Sequence, residues 1–399
     1  MENKEFKIAL FMLPLLTQGG GAEKYFINLA RNFRDRGIEM DVITMNENFF
    51  NKFARLLHIF ALGNFFGKID TIGRESEESI KRQLGKARWI KTSYKNLGKG
   101  LRNYDIIYAK NELVDLVLLK SKGYKKLPPI IVGVHTPIFY PETKSFISKL
   151  HNFLYSSFFY SWLLRGAKRV HVSNSFTENL VNKNFKIKSQ LIYYPFSTEK
   201  IRQSAQNNKT EINFDSGKKN IIFAGRLSEQ KGFDTLVNII ERISKSHGLT
   251  EKISLNVFGS GDAECEAKIK NLANKFPFVR YFGHVENKFI PNILVQNNLM
   301  IAPSKWETLP YSILEAQALG LPVIAFDIPG PNDIIKDSRT GFLVKTEEDF
   351  AGKIKDFAEG KIRLDKSEIV ENIEKRFNPE KMYDELLNMF QENLSKAKP

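Results

Sequence analysis

The chain has 399 residues, enough at roughly 150 residues per domain for two or three domains. Hydrophobic residues make up 42% and charged residues 26%, an ordinary globular balance that excludes a disordered chain. The single cysteine, Cys265, excludes an internal disulfide. The net charge of +15 is unevenly placed: residues 1–200 carry 32 Lys and Arg against 17 Asp and Glu, whereas residues 201–399 carry 28 of each.

In chain order, residues 6–13 form a continuous apolar run, the pattern of a parallel strand covered on both faces. The acidic residues Glu2 and Glu5 beside Lys4 and Lys7 deny this run the basic flank of a secretory signal, so a buried strand is the reading. A glycine loop, Gly19-Gly20-Gly21, precedes apolar residues at helical spacing (Ala22, Tyr25, Phe26, Leu29, Ala30, Phe33). Further strands are predicted at 40–45, 105–108, 130–134, 169–172 and 190–194, with helical stretches between most of them. No segment reaches the ~18 apolar residues of a membrane span; residues 152–164 come nearest.

Residues 198–219 are polar and lack an apolar period, which predicts a linker. The alternation then restarts, with strands predicted at 220–224, 254–258, 279–282, 299–302 and 322–326 and helices at 233–244, 263–275, 311–319 and 347–358. Repeated βα units imply an α/β chain of two doubly wound parallel sheets, over 1–197 and 220–378. Such sheets bind ligands at the C-terminal ends of their strands. A last amphipathic helix, 379–393, is placed to pack across domains.

Three loops carry candidate chemistry. After the strand at 220–224 come Gly225, Arg226, Lys231 and Gly232; two cations at a strand-to-helix loop suit a diphosphate, and solvated loop cations are the alternative. After 254–258 comes Gly259-Ser260-Gly261, which allows close backbone approach or simply makes a tight turn. The third loop leads from Glu307 through Thr308, Leu309 and Pro310 into a helix that carries Glu315. Both carboxylates can face one cleft, and the helix start offers its first-turn amides to a phosphate or sugar hydroxyl.

This last segment resembles the signature of glycosyltransferase family 4: a Glu, then Glu-Ala, then Gly-x-Pro-Val-Ile, here Glu307, Glu315-Ala316 and Gly320-Leu321-Pro322-Val323-Ile324. Gly20-Gly21-Ala22-Glu23, Gly225-Arg226-Leu227, Phe258-Gly259-Ser260-Gly261, Phe282-Gly283-His284-Val285 and Gly341-Phe342-Leu343-Val344 match in order. The resemblance implies the GT-B fold, two Rossmann-like domains facing a cleft, and a retaining, metal-independent transfer from a nucleotide-sugar, with UDP-sugar expected. It assigns the donor diphosphate to Arg226 and Lys231, with backbone amides of Gly20 and Gly21 near the phosphate. Glu307 would contact hydroxyls of the donor sugar and Glu315 those of the ribose. Val285 would lie near the base, with Gly259, Thr308, Leu309 and Pro310 lining the donor site. His135, in Gly133-Val134-His135-Thr136, would lie near the donor sugar, and Glu23 on the acceptor side. Sugar preference does not transfer, because Thr308-Leu309-Pro310-Tyr311 replaces the family's commoner residues after the first Glu.

The chain contains no Asp-x-Asp, which argues against the metal-dependent GT-A fold, and its six His show no metal-site spacing. The basic N-terminal half suggests an anionic acceptor or surface. Aromatic and basic residues interleave at Phe49–Lys68 and again at 146–164, a pattern suited to anionic lipid or to core-facing helices with a basic outer side. The expectation is a cytoplasmic protein lying against the inner face of the membrane and serving a lipid-linked or saccharide acceptor. A sugar-nucleotide epimerase or hydrolase of the same fold is the alternative enzyme. A nucleic-acid partner is disfavoured, because no recognised motif accompanies the charge.

Overall fold

The structure, a computed structural model, describes residues 6–13, 21–46, 76–135, 138–139 and 146–394. It divides into two units, 1–193 with 383–399, and 194–382.

The first unit holds a seven-stranded parallel sheet: β1 (Lys7–Met12), β2 (Glu39–Met45), β3 (Trp89–Thr92), β4 (Ile106–Lys110), β5 (Ile130–Val134), β6 (Arg169–Val172) and β7 (Ser189–Leu191), in the order 3-2-1-4-5-6-7. The central strands β4 and β5 are buried at every position, as expected of strands covered by helices on both faces, and apart from the terminal Lys110 of β4 their sequences are apolar. β3 was not expected. It is a half-buried edge strand inside a run of eight basic residues, and its alternating Ile90 and Lys91 give no apolar run to read. Gly21 opens the helix Gly21–Asp35 instead of closing the loop before it, so Gly21 and Glu23 both lie in its first turn. Gly20 and the segment 49–68 lie outside the described residues.

One polar cluster braces this unit. Asp41 on β2 is 1% exposed, yet it meets Arg34 at 2.5 Å, Arg88 at 2.6 Å and the Tyr104 hydroxyl at 2.8 Å. Burial pushes its carboxyl pKa up, but hydrogen bonds from Arg88, Arg34 and Tyr104 outweigh it and leave the pKa below the usual value.

The second unit repeats the plan in six parallel strands: β8 (Lys219–Ala224), β9 (Ile253–Phe258), β10 (Val279–Gly283), β11 (Leu299–Ala302), β12 (Val323–Phe326) and β13 (Gly341–Val344), ordered 10-9-8-11-12-13. Numbered within the unit this is 3-2-1-4-5-6, the dinucleotide-fold order, whose strand order reverses between β8 and β11. The stretch 198–219 differs from the expected linker. Ser197 caps a helix, Thr198–Asn207, whose Thr198 and Ala205 are buried against the second unit. With so few apolar side chains the helix leaves little periodic signal. The last helix, Pro379–Glu392, begins in the second unit and ends in the first, where Tyr383 and Phe390 pack edge-on against Phe33.

Candidate active site

In the second unit the reversal of strand order lies where the loops after β8 and β11 leave the sheet. Neighbouring loops diverge at such a point and open a crevice at the strand ends. The chain makes both loops tight. Gly232 has φ +70°, and a Cβ there would lie 1.8 Å from the carbonyl oxygen of Pro303 in the other loop. Gly259, after β9, has φ +133°, and its Cβ would lie 1.8 Å from the Gly225 oxygen. Only glycine permits both the dihedral and the approach. The amide of Lys305 donates to the Gln230 carbonyl at 2.9 Å, so the two loops are joined by a backbone bond.

Across this junction Lys231 Nζ lies 2.5 Å from Glu307 Oε1, which also accepts from Ser304 Oγ at 2.9 Å. The Glu307 side chain is 7% exposed and that of Lys231 22%. Arg226 is exposed on the same loop, its Nη2 3.4 Å from Gln230 Oε1, and it makes no ion pair among the described residues. Glu315 lies in the helix Tyr311–Ala318, half-buried, five residues after Pro310 at the cap position. Leu309 and Pro310 are buried and Thr308 half-buried, with the Thr308 carbonyl against Gly330. Val285 is half-buried just after β10, beyond Gly283, whose carbonyl accepts from the Gly259 amide at 2.7 Å. Phe258 and Phe282, at the ends of adjacent strands, stack with their centroids 4.5 Å apart. One edge therefore gathers an exposed guanidinium, an ammonium held by a carboxylate, a second carboxylate on a helix and a glycine turn. That set suits a ligand carrying both anionic charge and hydroxyl groups.

His135 belongs to the first unit, at the C-terminal end of β5. Its surroundings fix its chemistry. His171 Nε2 lies 2.8 Å from the Ile192 carbonyl, so that nitrogen carries the proton. His171 Nδ1 then accepts from the Tyr108 hydroxyl at 2.6 Å, and the Tyr108 oxygen accepts from His135 Nε2–H at 2.8 Å. Burial, with help from His171 and Lys110 nearby, pushes the His135 pKa well below its usual value, and burial takes His171 down to about 4. Both rings are thus neutral at pH 7, with the proton of His135 on Nε2. Gly133 makes room for the chain, since a Cβ there would lie 2.3 Å from the Tyr108 hydroxyl. Asn111, at the end of β4, accepts from the His135 amide at 3.2 Å.

Sequence reading missed Ser304 and Gln230 in the second unit and Tyr108, Asn111 and His171 in the first. Polar residues ending otherwise apolar strands were the available signal for Asn111 and Ser304. Tyr108 and His171 gave none, because their partners lie 27 and 63 residues away.

Two family models match the chain: Glycosyltransferase Family 4 over residues 19–200, and Glycosyl transferases group 1 over residues 204–376. An uncharacterized 41.2 kDa protein in the cps region of Klebsiella pneumoniae is 29% identical over 240 residues, which are 58% of this chain and 60% of that protein. An Escherichia coli UDP-Gal:alpha-D-GlcNAc-diphosphoundecaprenol alpha-1,3-galactosyltransferase is 44% identical over 59 residues, 15% of each chain. The structure of Anabaena HepE in complex with UDP superposes with a TM-score of 0.69 over 97% of this chain and 100% of that one, at 17% identity. The GT-B type of fold is the one these structures share.

Proposed function

We propose that this chain, which belongs to the glycosyltransferases described by the family 4 and group 1 models, transfers a hexosyl group from a UDP-sugar to a saccharide or lipid-linked acceptor with retention of configuration. The observation that carries the reading is the Lys231–Glu307 pair at the point where the second sheet reverses its strand order, with Arg226 exposed beside it. HepE, of the same fold, has been crystallised with UDP, which supports UDP as the nucleotide.

Under this reading Arg226 and Lys231 hold the diphosphate, Glu307 accepts from a hydroxyl of the donor sugar and Glu315 from the ribose. Val285 and the Gly259 turn border the base and its phosphates. The bond between the anomeric carbon and the diphosphate breaks, and a bond to the acceptor oxygen forms on the same face. The acceptor's proton passes to the departing diphosphate. The two cations stabilise the charge that develops on it, the role a metal ion takes in other folds, and no metal is part of the mechanism. His135, neutral and with its Nε2 proton held by Tyr108, does not shuttle the proton. The setting we propose is glycan assembly at the cytoplasmic face of an anionic membrane.

The test is a donor screen. Purified protein is given UDP-, GDP- and dTDP-sugars in turn, and released nucleoside diphosphate is read with and without lipid extract. One donor is expected to be consumed, faster with extract, and Glu307→Ala should abolish the signal. Turnover that needs no acceptor and leaves an isomerised nucleotide-sugar would replace transfer by epimerisation.

A further inference from the structure

Nine large hydrophobic side chains are exposed among the described residues, and five of them lie within ten residues of each other: Phe153, Leu154, Phe158, Phe159 and Trp162. Chance scatter would spread them over both units. They occupy the elbow between the helices Phe146–Ser156 and Phe158–Leu164, which Ser157 creates by capping the second helix through Tyr160 N. The inner side of the elbow is spoken for, since Tyr155, Tyr160, Leu163 and Leu164 are buried in the first unit's core. The outer side holds Phe153 at 70% and Phe158 at 76% exposure. Trp162 stacks on Phe159 at 5.8 Å.

The rim of this patch is cationic. Lys120 Nζ lies 4.0 Å over the Trp162 ring, and Lys149, Arg165 and Lys168 are exposed on or next to the two helices. From residue 143 to 177 there are five basic residues and no acidic one. Exposed rings with a one-signed basic border match the layering of an anionic bilayer, in which phosphates overlie hydrocarbon. A basic rim without rings would fit a soluble polyanion, and rings without the rim would fit a second copy of the chain.

We infer that the 153–162 elbow is a membrane-inserting wedge, with Phe153 and Phe158 entering the hydrocarbon of an anionic bilayer and Lys120, Lys149 and Arg165 meeting its phosphates. The inference rests on the membrane part of the proposed function and names the surface responsible. It is independent of the Lys231–Glu307 pair, which lies on residues of the second unit.

The full-length chain is sedimented with phosphatidylcholine vesicles, with and without an equal share of phosphatidylglycerol, and Trp fluorescence is quenched by brominated lipid. We expect binding only with phosphatidylglycerol, weakened by salt. Quenching should be lost in Trp162→Phe, and Phe158→Ser should lower the partition coefficient roughly tenfold or more. Both side chains are exposed, so unchanged circular dichroism and UDP binding by calorimetry will show the variants folded. Absence of vesicle binding by a protein that still binds UDP overturns the wedge and leaves the transferase reading standing. Binding that Phe158→Ser does not alter, or a concentration-dependent dimer that this variant dissolves, overturns it as well.

Discussion

Replacing Glu307 by glutamine keeps the side chain's size and removes its charge. In the structure that charge holds Lys231 at 2.5 Å, with one partner 7% and the other 22% exposed. Surface pairs contribute about 0–1 kcal/mol, and stripping one partner from a fully buried pair costs about 3–5 kcal/mol. This pair falls between, at about 2 kcal/mol, a factor of roughly 30 in an equilibrium constant. A diphosphate that recruits Lys231 must draw it from Glu307, so the carboxylate competes with the ligand in the empty site. Water takes up part of the released attraction, and UDP should therefore bind Glu307→Gln about three- to tenfold more tightly than the native chain. Lys231→Met should bind UDP at least about tenfold more weakly, because it loses a charge-assisted contact. Sugar transfer should nevertheless fall in both variants, by about a hundredfold or more in Glu307→Gln if the carboxylate orients the donor sugar. Titration calorimetry with UDP at two salt concentrations reads the affinities. A tenfold loss of UDP affinity in Glu307→Gln would refute the competition and make Glu307 the residue that aims Lys231 at the phosphate.

Two other predictions concern stability. His135 and His171 have folded pKa values below the ordinary 6.5, so the unfolded chain binds more protons as the pH falls. Their contribution is intact above about 6.5 and is lost as the pH falls, that of His171 draining away towards about 4, and His171→Gln should flatten the fall of the melting temperature across that window. Gly232 and Gly248 share φ +70°, but a Cβ at Gly248 meets nothing within 4 Å. Gly248→Ala should cost only the left-handed penalty of about 1–2 kcal/mol, whereas Gly232→Ala should also push the Pro303 loop away and abolish UDP binding, as melting curves and calorimetry will read.

The sheets were legible because central parallel strands are covered on both faces and so mainly apolar: β5, β11 and β1 after Lys7 carry that signal unbroken, and β4 and β9 carry it despite Lys110 and the buried Ser254 and Asn256. β3 and the helix Thr198–Asn207 were not, because each buries too little for a pattern. In the candidate site, Lys231 and Glu307 could be picked out singly, but their pairing could not. They lie 76 residues apart, and only the strand order brings their loops together. The protonation of His135 was equally hidden, since it depends on Ile192 through two intervening side chains.

The helix Pro379–Glu392 gives the molecule an order of assembly. Phe390 lies 5.5 Å from the ring of Tyr108, Tyr383 lies against Phe33, and Arg36 meets Asp384 at 3.3 Å. The tyrosine that links the two histidines is thus supported by a side chain translated 282 positions later. On the ribosome, the first unit's sheet can pair long before that support exists, while the second unit's own residues are all made once 382 has emerged. The unit made first is therefore the one finished last. Its histidine chain should acquire native order only when synthesis has passed the second unit, and a fragment ended at 193 should expose Phe33 and Tyr108 to solvent and to aggregation.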